Sequence, residues 1–234
     1  MSAGLSRPRA VLFDWDNTLV DSWETLRVAI NAALVAFGQP PWTIEETRQR
    51  VRRSLRDSFP ELFGDDWRQA RDVFYKTFEA EHLKTVTALP GAAALVAALA
   101  AELPLGVVSN KHGNLLRREA AHLGWSGYFR SLVGATDAPR DKPDRAPVDQ
   151  ALATLAACGI DIPQNQDVWF VGDTALDMQT AHAAGWVPVL FGAGHGEDAA
   201  LTAYPPQFRV ESLDDLGRIW RGLQLPRDRP KSLS

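Results

Sequence analysis

The chain has 234 residues, 45% of them hydrophobic, which is enough to bury a sizeable core and excludes wholesale disorder. Its formal net charge of −4 does not suit a general nucleic-acid or acidic-membrane binder, which normally needs a basic face, and leaves room only for local basic patches. Cys158 is the single cysteine, so an intramolecular disulfide and a Cys-rich zinc site are both excluded, as suits a reducing compartment.

The N-terminal MSAGLSRPR lacks the apolar stretch of a secretory signal. The longest uncharged run, 85–101, is broken by Pro90-Gly91 and is too short for a membrane span, so a cytoplasmic protein is expected. The first strand is AVLFDWD, 10–16. From about Asp21 to Val86 there is no convincing strand. Instead SWETLRVAINAALVAFG sets Leu26, Ile30, Leu34 and Phe37 at helical spacing and stops at Gly38. After Gln39-Pro40-Pro41, Thr43 and Glu46 make a capping-box pattern ahead of a helix through ETRQRVRRSLRDSF, and a further helix covers 65–84.

Strands and helices then alternate. Helix 90–102 precedes strand PLGVVSN (104–110), and helix 112–125 precedes strand SLVGATD (131–137). Helix 144–159, with Asp144 as N-cap and Gly159 as terminator, precedes strand VWFVGD (168–173). Helix 175–185 ends on Gly185 ahead of VPVLFGA (187–193), and FRVES (208–212) offers a sixth strand. Cys158, just before Gly159, reads as a small buried core thiol.

Short Val- and Leu-rich strands separated by helices predict an α/β fold, a Rossmann-like doubly wound parallel sheet. Residues 1–20 and 87–225 form this core, 21–86 an inserted all-helical unit, and 226–234 a disordered tail.

In an open parallel sheet the ligand site lies at the carboxyl ends of the strands. Those ends carry Asp14 and Asp16, Ser109-Asn110-Lys111, Asp173 with Asp177 four residues on, and Lys142 after the third strand. Residues two apart in an extended chain share a face, with Cα atoms about 6.5–7 Å apart, so one carboxylate could attack a centre while the other reaches the leaving group. Trp15 then points the other way and packs. Crowded carboxylates with no accompanying histidines call for a hard, oxygen-ligated cation, Mg²⁺ rather than zinc. Lys142 and Ser109 add a positive charge and a donor suited to a phosphoryl group.

FDWDNT, VVSNK, DKP and VGDTALD, in this order, resemble the haloacid dehalogenase superfamily. The helical insert resembles the small cap of its phosphoglycolate-phosphatase-like branch, and the likeness runs to about residue 220. It implies a Mg²⁺-dependent phosphatase acting on a small phosphorylated metabolite through an aspartyl-phosphate, with phosphoglycolate the leading candidate. Asp14 would be the nucleophile and Asp16 the acid and base. Mg²⁺ would be held by the Asp14 carboxylate, the Asp16 backbone carbonyl and Asp173, with Asp177 acting nearby. Ser109, Asn110 and Lys142 would hold the phosphoryl oxygens. Arg52, Arg53 and Arg56 of the insert are candidates for a substrate anion, although a solvated helical face fits them equally well.

The sequence departs from the family's usual Asp-x-Asp-Gly-Thr at Asn17. Asn tolerates left-handed backbone well, so the loop is expected to survive the change. A sugar-phosphate phosphotransferase or mutase shares these motifs and remains the alternative, as does a non-catalytic binding protein that keeps the fold. A dehalogenase is disfavoured because that branch lacks the second aspartate.

Overall fold

The computed structural model describes residues 7–51, 55–160, 162, 168–192 and 199–223. The chain enters through β1 (Ala10–Phe13) and the short β2 (Val20–Asp21). It then forms α1 (Trp23–Ala36), α2 (Ile44–Arg50), α3 (Leu55–Phe63) and α4 (Trp67–Thr85) before β3 (Thr87–Ala88). The second half alternates α5 (Ala92–Ala100), β4 (Leu105–His112), α6 (Gly113–His122), β5 (Phe129–Ala135) and α7 (Ala146–Ala157). It closes with β6 (Val168–Gly172), α8 (Ala175–Ala184), β7 (Val187–Phe191), α9 (Ala199–Ala203), β8 (Phe208–Val210) and α10 (Leu213–Gly222).

Six strands pair in the order β5-β4-β1-β6-β7-β8, all parallel, with β1 at the centre between β4 and β6. The alternation of side chains along β1 feeds both layers. Val11 and Phe13 pack on one face with α5, α6 and α10 through Val96, Leu116, Leu216 and Trp220. Ala10 and Leu12 pack on the other with α7 and α8 through Val148, Leu155 and Ala181. This is the doubly wound α/β arrangement, with helices on both faces of a parallel sheet.

The helices α1–α4 bury a core of their own, in which Leu34, Phe59, Phe63, Phe74 and Phe78 meet. The two chain crossings that lead into and out of them are joined as a ribbon, Val20 opposite Ala88 and Asp21 opposite Thr87, antiparallel. Thr25 and Thr85 share a hydroxyl–hydroxyl bond of 2.5 Å that ties the start of α1 to the end of α4. No helix among the described residues is long and apolar enough to cross a membrane.

Three local expectations change. The helix expected through 46–59 is divided: Val51 leaves the helical region (φ −83°, ψ 82°) after α2, and α3 resumes at Leu55. The sequence there sets Arg48 against Arg52 and Arg50 against Arg53 at one-turn spacing, and like charges at that spacing oppose a continuous helix. Arg145, not Asp144, occupies the N-cap of α7, although the Asp144 carboxylate still accepts from Ala146 N at 2.9 Å.

Cys158 is exposed rather than buried. The buried stripe of α7 runs Val148, Ala151, Leu155, and the chain turns away at Gly159 (φ 75°) before another turn could bring Cys158 inward.

Phe13 is fully buried under the β1 end that carries the acids. Phe13→Ala is expected to lower unfolding stability by about 3–5 kcal/mol, the usual cost of deleting a core phenylalanine, read from the urea midpoint.

Candidate active site

β1 ends at Phe13, and Asp14 stays in the sheet's frame because its backbone N–H donates to Val171 O of β6 at 2.8 Å. The turn that follows depends on Asn17. Its φ is 61°, in the left-handed region, and its N–H donates to Val20 O at 2.7 Å, closing the loop into β2. Asn is among the few non-glycine residues that adopt this conformation at low cost, so the loop keeps its shape.

Around Asp14 the strand ends converge as expected. Lys142 Nζ lies 2.6 Å from Asp14 Oδ1 and 2.7 Å from Asp177 Oδ1, with its side chain almost wholly buried. Asp14, Asp173 and Asp177 each offer a carboxylate oxygen, and these atoms all lie within 4.8 Å of one another. Three carboxylates are thus clustered where one ammonium pairs directly with two of them, Asp14 and Asp177. Burial, reinforced by Asp177 and Asp16, outweighs Lys142 and pushes the Asp14 carboxyl up to about 6. Burial and the neighbouring Asp177 and Asp14 likewise hold Asp173 well above the usual carboxylate range. Burial works against the Lys142 ammonium, but Asp14 and Asp177 outweigh it and raise its pKa. The surplus negative charge on an oxygen-only donor set fits a hard divalent cation.

Asp177 also closes a capping box with Thr174 at the start of α8. Its Oδ2 accepts from Thr174 N at 3.0 Å and Thr174 Oγ1 at 2.6 Å, so its cap role and its place in the cluster coexist. Gly172 makes this possible, since a Cβ there would meet Asp177 at 2.3 Å. Asp173 Oδ1 accepts from the buried Thr18 hydroxyl at 3.2 Å, a contact the sequence pattern did not signal.

Ser109 lies inside β4 and is buried, so it is not a helix cap; its Oγ accepts from Lys111 N at 3.3 Å. Asn110 turns its amide on the Lys142 backbone, accepting from Lys142 N at 2.8 Å and donating to Lys142 O at 3.1 Å. These two bonds fix the loop that carries Lys142, and Asn110 also lines the cavity beside Asp14. Ser22 caps no helical N–H through its side chain; its hydroxyl donates to Asp16 Oδ1, while Asp21 Oδ1 takes Trp23 N at 3.0 Å. Arg52, Arg53 and the Arg56 side chain lie outside the described residues, as do most of the Gly-rich 192–196 loop and the tail 226–234.

Sequence reasoning missed a second buried ammonium. Lys111 Nζ sits 2.6 Å from Asp16 Oδ1 and 3.0 Å from Glu119 Oε2. Burial opposes its charge, yet Asp16 and Glu119 outweigh burial and raise its pKa. Glu119 also accepts from Trp15 Nε1 at 2.7 Å and pairs with His82 Nδ1 at 2.9 Å. The signals were present. Glu119 falls on the buried stripe of α6 with Leu115 and Leu116, and His82 continues the Phe74, Phe78 stripe of α4. Charged or polar residues on apolar stripes mark partners inside.

Both lysines and the acids at the strand ends line a cavity of about 260 Å³, while Glu119, His82 and Trp15 lie behind it. Its floor is Asp14, Asp16, Ser109, Lys142 and Asp173, and its far wall includes Trp23, Leu26, Phe74, Tyr75 and Phe78 from α1 and α4. The charged groups thus come from the strand ends, and the wall from α1 and α4 is mainly apolar.

The family model described as haloacid dehalogenase-like hydrolase matches residues 11–190. Phosphoglycolate phosphatase 1 of Pseudomonas aeruginosa is 30% identical over 222 residues, covering 89% of this chain and 78% of that protein. Phosphoglycolate phosphatase of Chromobacterium violaceum is 31% identical over 222 residues, covering 91% of this chain and 97% of that protein. Among solved structures, a haloacid dehalogenase-like hydrolase from Streptococcus pneumoniae superposes with a TM-score of 0.78 at 22% identity, covering 92% of this chain and 99% of that one. A haloacid dehalogenase-like hydrolase from Bacteroides fragilis gives 0.79 at 22% identity, covering 89% and 99%. With its sheet topology, its acid-bearing strand ends and these likenesses, the chain belongs to the haloacid dehalogenase-like hydrolase family.

Proposed function

We propose that this phosphatase hydrolyses a small phosphomonoester in two steps through an aspartyl-phosphate on Asp14. The observation that supports it best is the pairing of Asp14 and Asp16 at one strand end, each beside its own buried lysine. In the first step Asp14 attacks phosphorus, the bond to the leaving oxygen breaks, and Asp16 gives that oxygen its proton. In the second, Asp16 takes a proton from water, the water oxygen bonds to phosphorus, and Asp14 is released with inorganic phosphate. Lys142 and the Ser109 hydroxyl hold the phosphoryl oxygens.

Asp14, Asp173 and the Asp16 backbone carbonyl would hold Mg²⁺, with Asp177 alongside, and the bound ion would neutralise charge on the transferring group. Residues 21–86 serve as a cap over the cavity, and 1–20 with 87–225 as the core. The Trp23, Phe74 and Phe78 wall, which belongs to α1 and α4, supports that division. A cap of this kind keeps bulk water from the acyl phosphate. Phosphoglycolate is the leading substrate because curated relatives at about 30% identity carry that name, and the cytoplasm is the expected compartment.

A phosphomonoester panel that includes phosphoglycolate, assayed with Mg²⁺ and with chelator, tests the reading. Release of phosphate is expected only with Mg²⁺, and Asp14→Asn is expected to lower it by at least about a thousandfold, as removal of a nucleophile does. Phosphate release unaffected by Asp14→Asn would sink the mechanism. Isomerisation of sugar phosphates without hydrolysis would favour the phosphotransferase reading.

Mg²⁺ should also raise the thermal midpoint of the wild type, because a ligand bound to the folded state stabilises it. Asp173→Asn should abolish that rise.

The upward shift of Asp14 carries a pH signature. The folded state binds this proton up to about pH 6, whereas the unfolded chain releases it near 3.8. Stability from this group therefore falls as pH rises between those values. In chelator, Asp14→Asn is expected to melt above the wild type at pH 7.5, with the difference gone below pH 3.8. A constant difference across the range would contradict the burial argument.

A further inference from the structure

We propose that Lys111 is a positioning residue for proton transfer by Asp16, held in place by Glu119 and by the α4 side chains Phe78 and His82. The inference rests on the phosphatase reading of Asp14 and Asp16.

Asp16 is the group that must present a proton to the leaving oxygen and later accept one. Its Oδ1 receives both Lys111 Nζ, at 2.6 Å, and the Ser22 hydroxyl. An ammonium and a hydroxyl on the same oxygen fix the rotation of the carboxylate and draw its negative charge to that oxygen. The proton in transit is then carried by the other oxygen, Oδ2. The arrangement selects one oxygen of Asp16 for chemistry and holds it still.

Lys111 can do this only if it is itself fixed. Its Nζ is shared with Glu119 Oε2 at 3.0 Å and lies 4.8 Å from the centre of the Phe78 ring. Glu119 is in turn held by Trp15 Nε1 and by His82 Nδ1, which donates to it at 2.9 Å. Phe78 and His82 are one turn apart on α4 and so share a face, which places both against the Lys111–Glu119 pair. Trp15 is the residue between the two aspartates, so Glu119 also fixes the backbone from which Asp14 and Asp16 project.

A buried ion pair of this sort contributes little net stability compared with an apolar replacement. His82 Nε2 is buried with no hydrogen-bond partner among the described residues, a further cost at the same place. Neither cost is offset by packing alone, whereas orienting Asp16 accounts for both.

The test compares two leaving groups. Departure of an alkoxide needs a proton from Asp16, while departure of p-nitrophenolate does not, and kcat/KM reports this first step. Wild type, Lys111→Met and Lys111→Arg are assayed on p-nitrophenyl phosphate and on the alkyl phosphomonoester that the panel above ranks fastest.

Lys111→Met is expected to lower kcat/KM for the alkyl ester at least about tenfold, a part of the roughly hundredfold or more that general acid catalysis contributes, while the value for p-nitrophenyl phosphate changes less than about threefold. Lys111→Arg is expected to recover part of the alkyl-ester loss. Equal losses on both substrates, or no loss on either, would overturn the proposal in favour of a structural role. If Lys111→Met shows no cooperative melting, Glu119→Gln replaces it. The same bias against the alkyl ester is then expected, and equal losses overturn the proposal. A wild type that turns over no alkyl phosphomonoester overturns the phosphatase reading, and this inference with it.

Discussion

Each aspartate at the end of β1 is held by its own buried ammonium, and the rest of the site is arranged around that pairing. Lys142 bridges Asp14 to Asp177, and Lys111 bridges Asp16 to Glu119. Charges this deeply buried are tolerated only where partners are close and hydrogen bonds complete. Hence each lysine needs a second carboxylate, and each of those carboxylates needs its own donors. Thr174 supplies them to Asp177, and Trp15 and His82 supply them to Glu119. The polar network is as extensive as the burial demands.

The two halves of the network belong to different parts of the fold. The Lys142 half is made by the sheet and its connections: β1, the loop after β5, and the start of α8. Asn110 of β4 clasps the Lys142 backbone from both sides, and Gly172 lets Asp177 approach closely enough to share the ammonium. The Lys111 half reaches outward to α4 through Phe78 and His82. Asp14 and Asp16 are thus supported by different structures, one within the α/β layer and one at its contact with the inserted helices.

This division accounts for the character of the cavity. At its charged end Asp14 pairs with Lys142, Asp16 with Lys111 and Ser22, and Asp173 with Thr18. Its apolar wall comes from α1 and α4, elements that pack mainly among themselves and join the sheet through the short β2–β3 ribbon. At α4 that enclosure is also tied to the acids below, because Phe78 and His82 pack on the Lys111–Glu119 pair that holds Asp16.

The sequence by itself determined the six strands of the main sheet though not the β2–β3 ribbon, the parallel α/β class, the helical insert and the gathering of Asp14, Asp16, Lys142, Asp173 and Asp177 at the strand ends. These follow from local pattern: apolar runs ending in acids, helices ending in glycine, and motifs in a fixed order. Asn17 was legible too, because left-handed backbone is a property of one residue and its neighbours, and φ is 61° there. Only the tertiary structure decided that Lys111 meets Asp16, that Glu119 and His82 lie behind it, that Asn110 serves Lys142, and that Cys158 faces solvent. Lys111 and Glu119 are eight residues apart, His82 comes from another element, and Asp16 lies 95 residues away from Lys111. Which polar groups neutralise one another in a core is a matter of packing between elements, and no local periodicity encodes it.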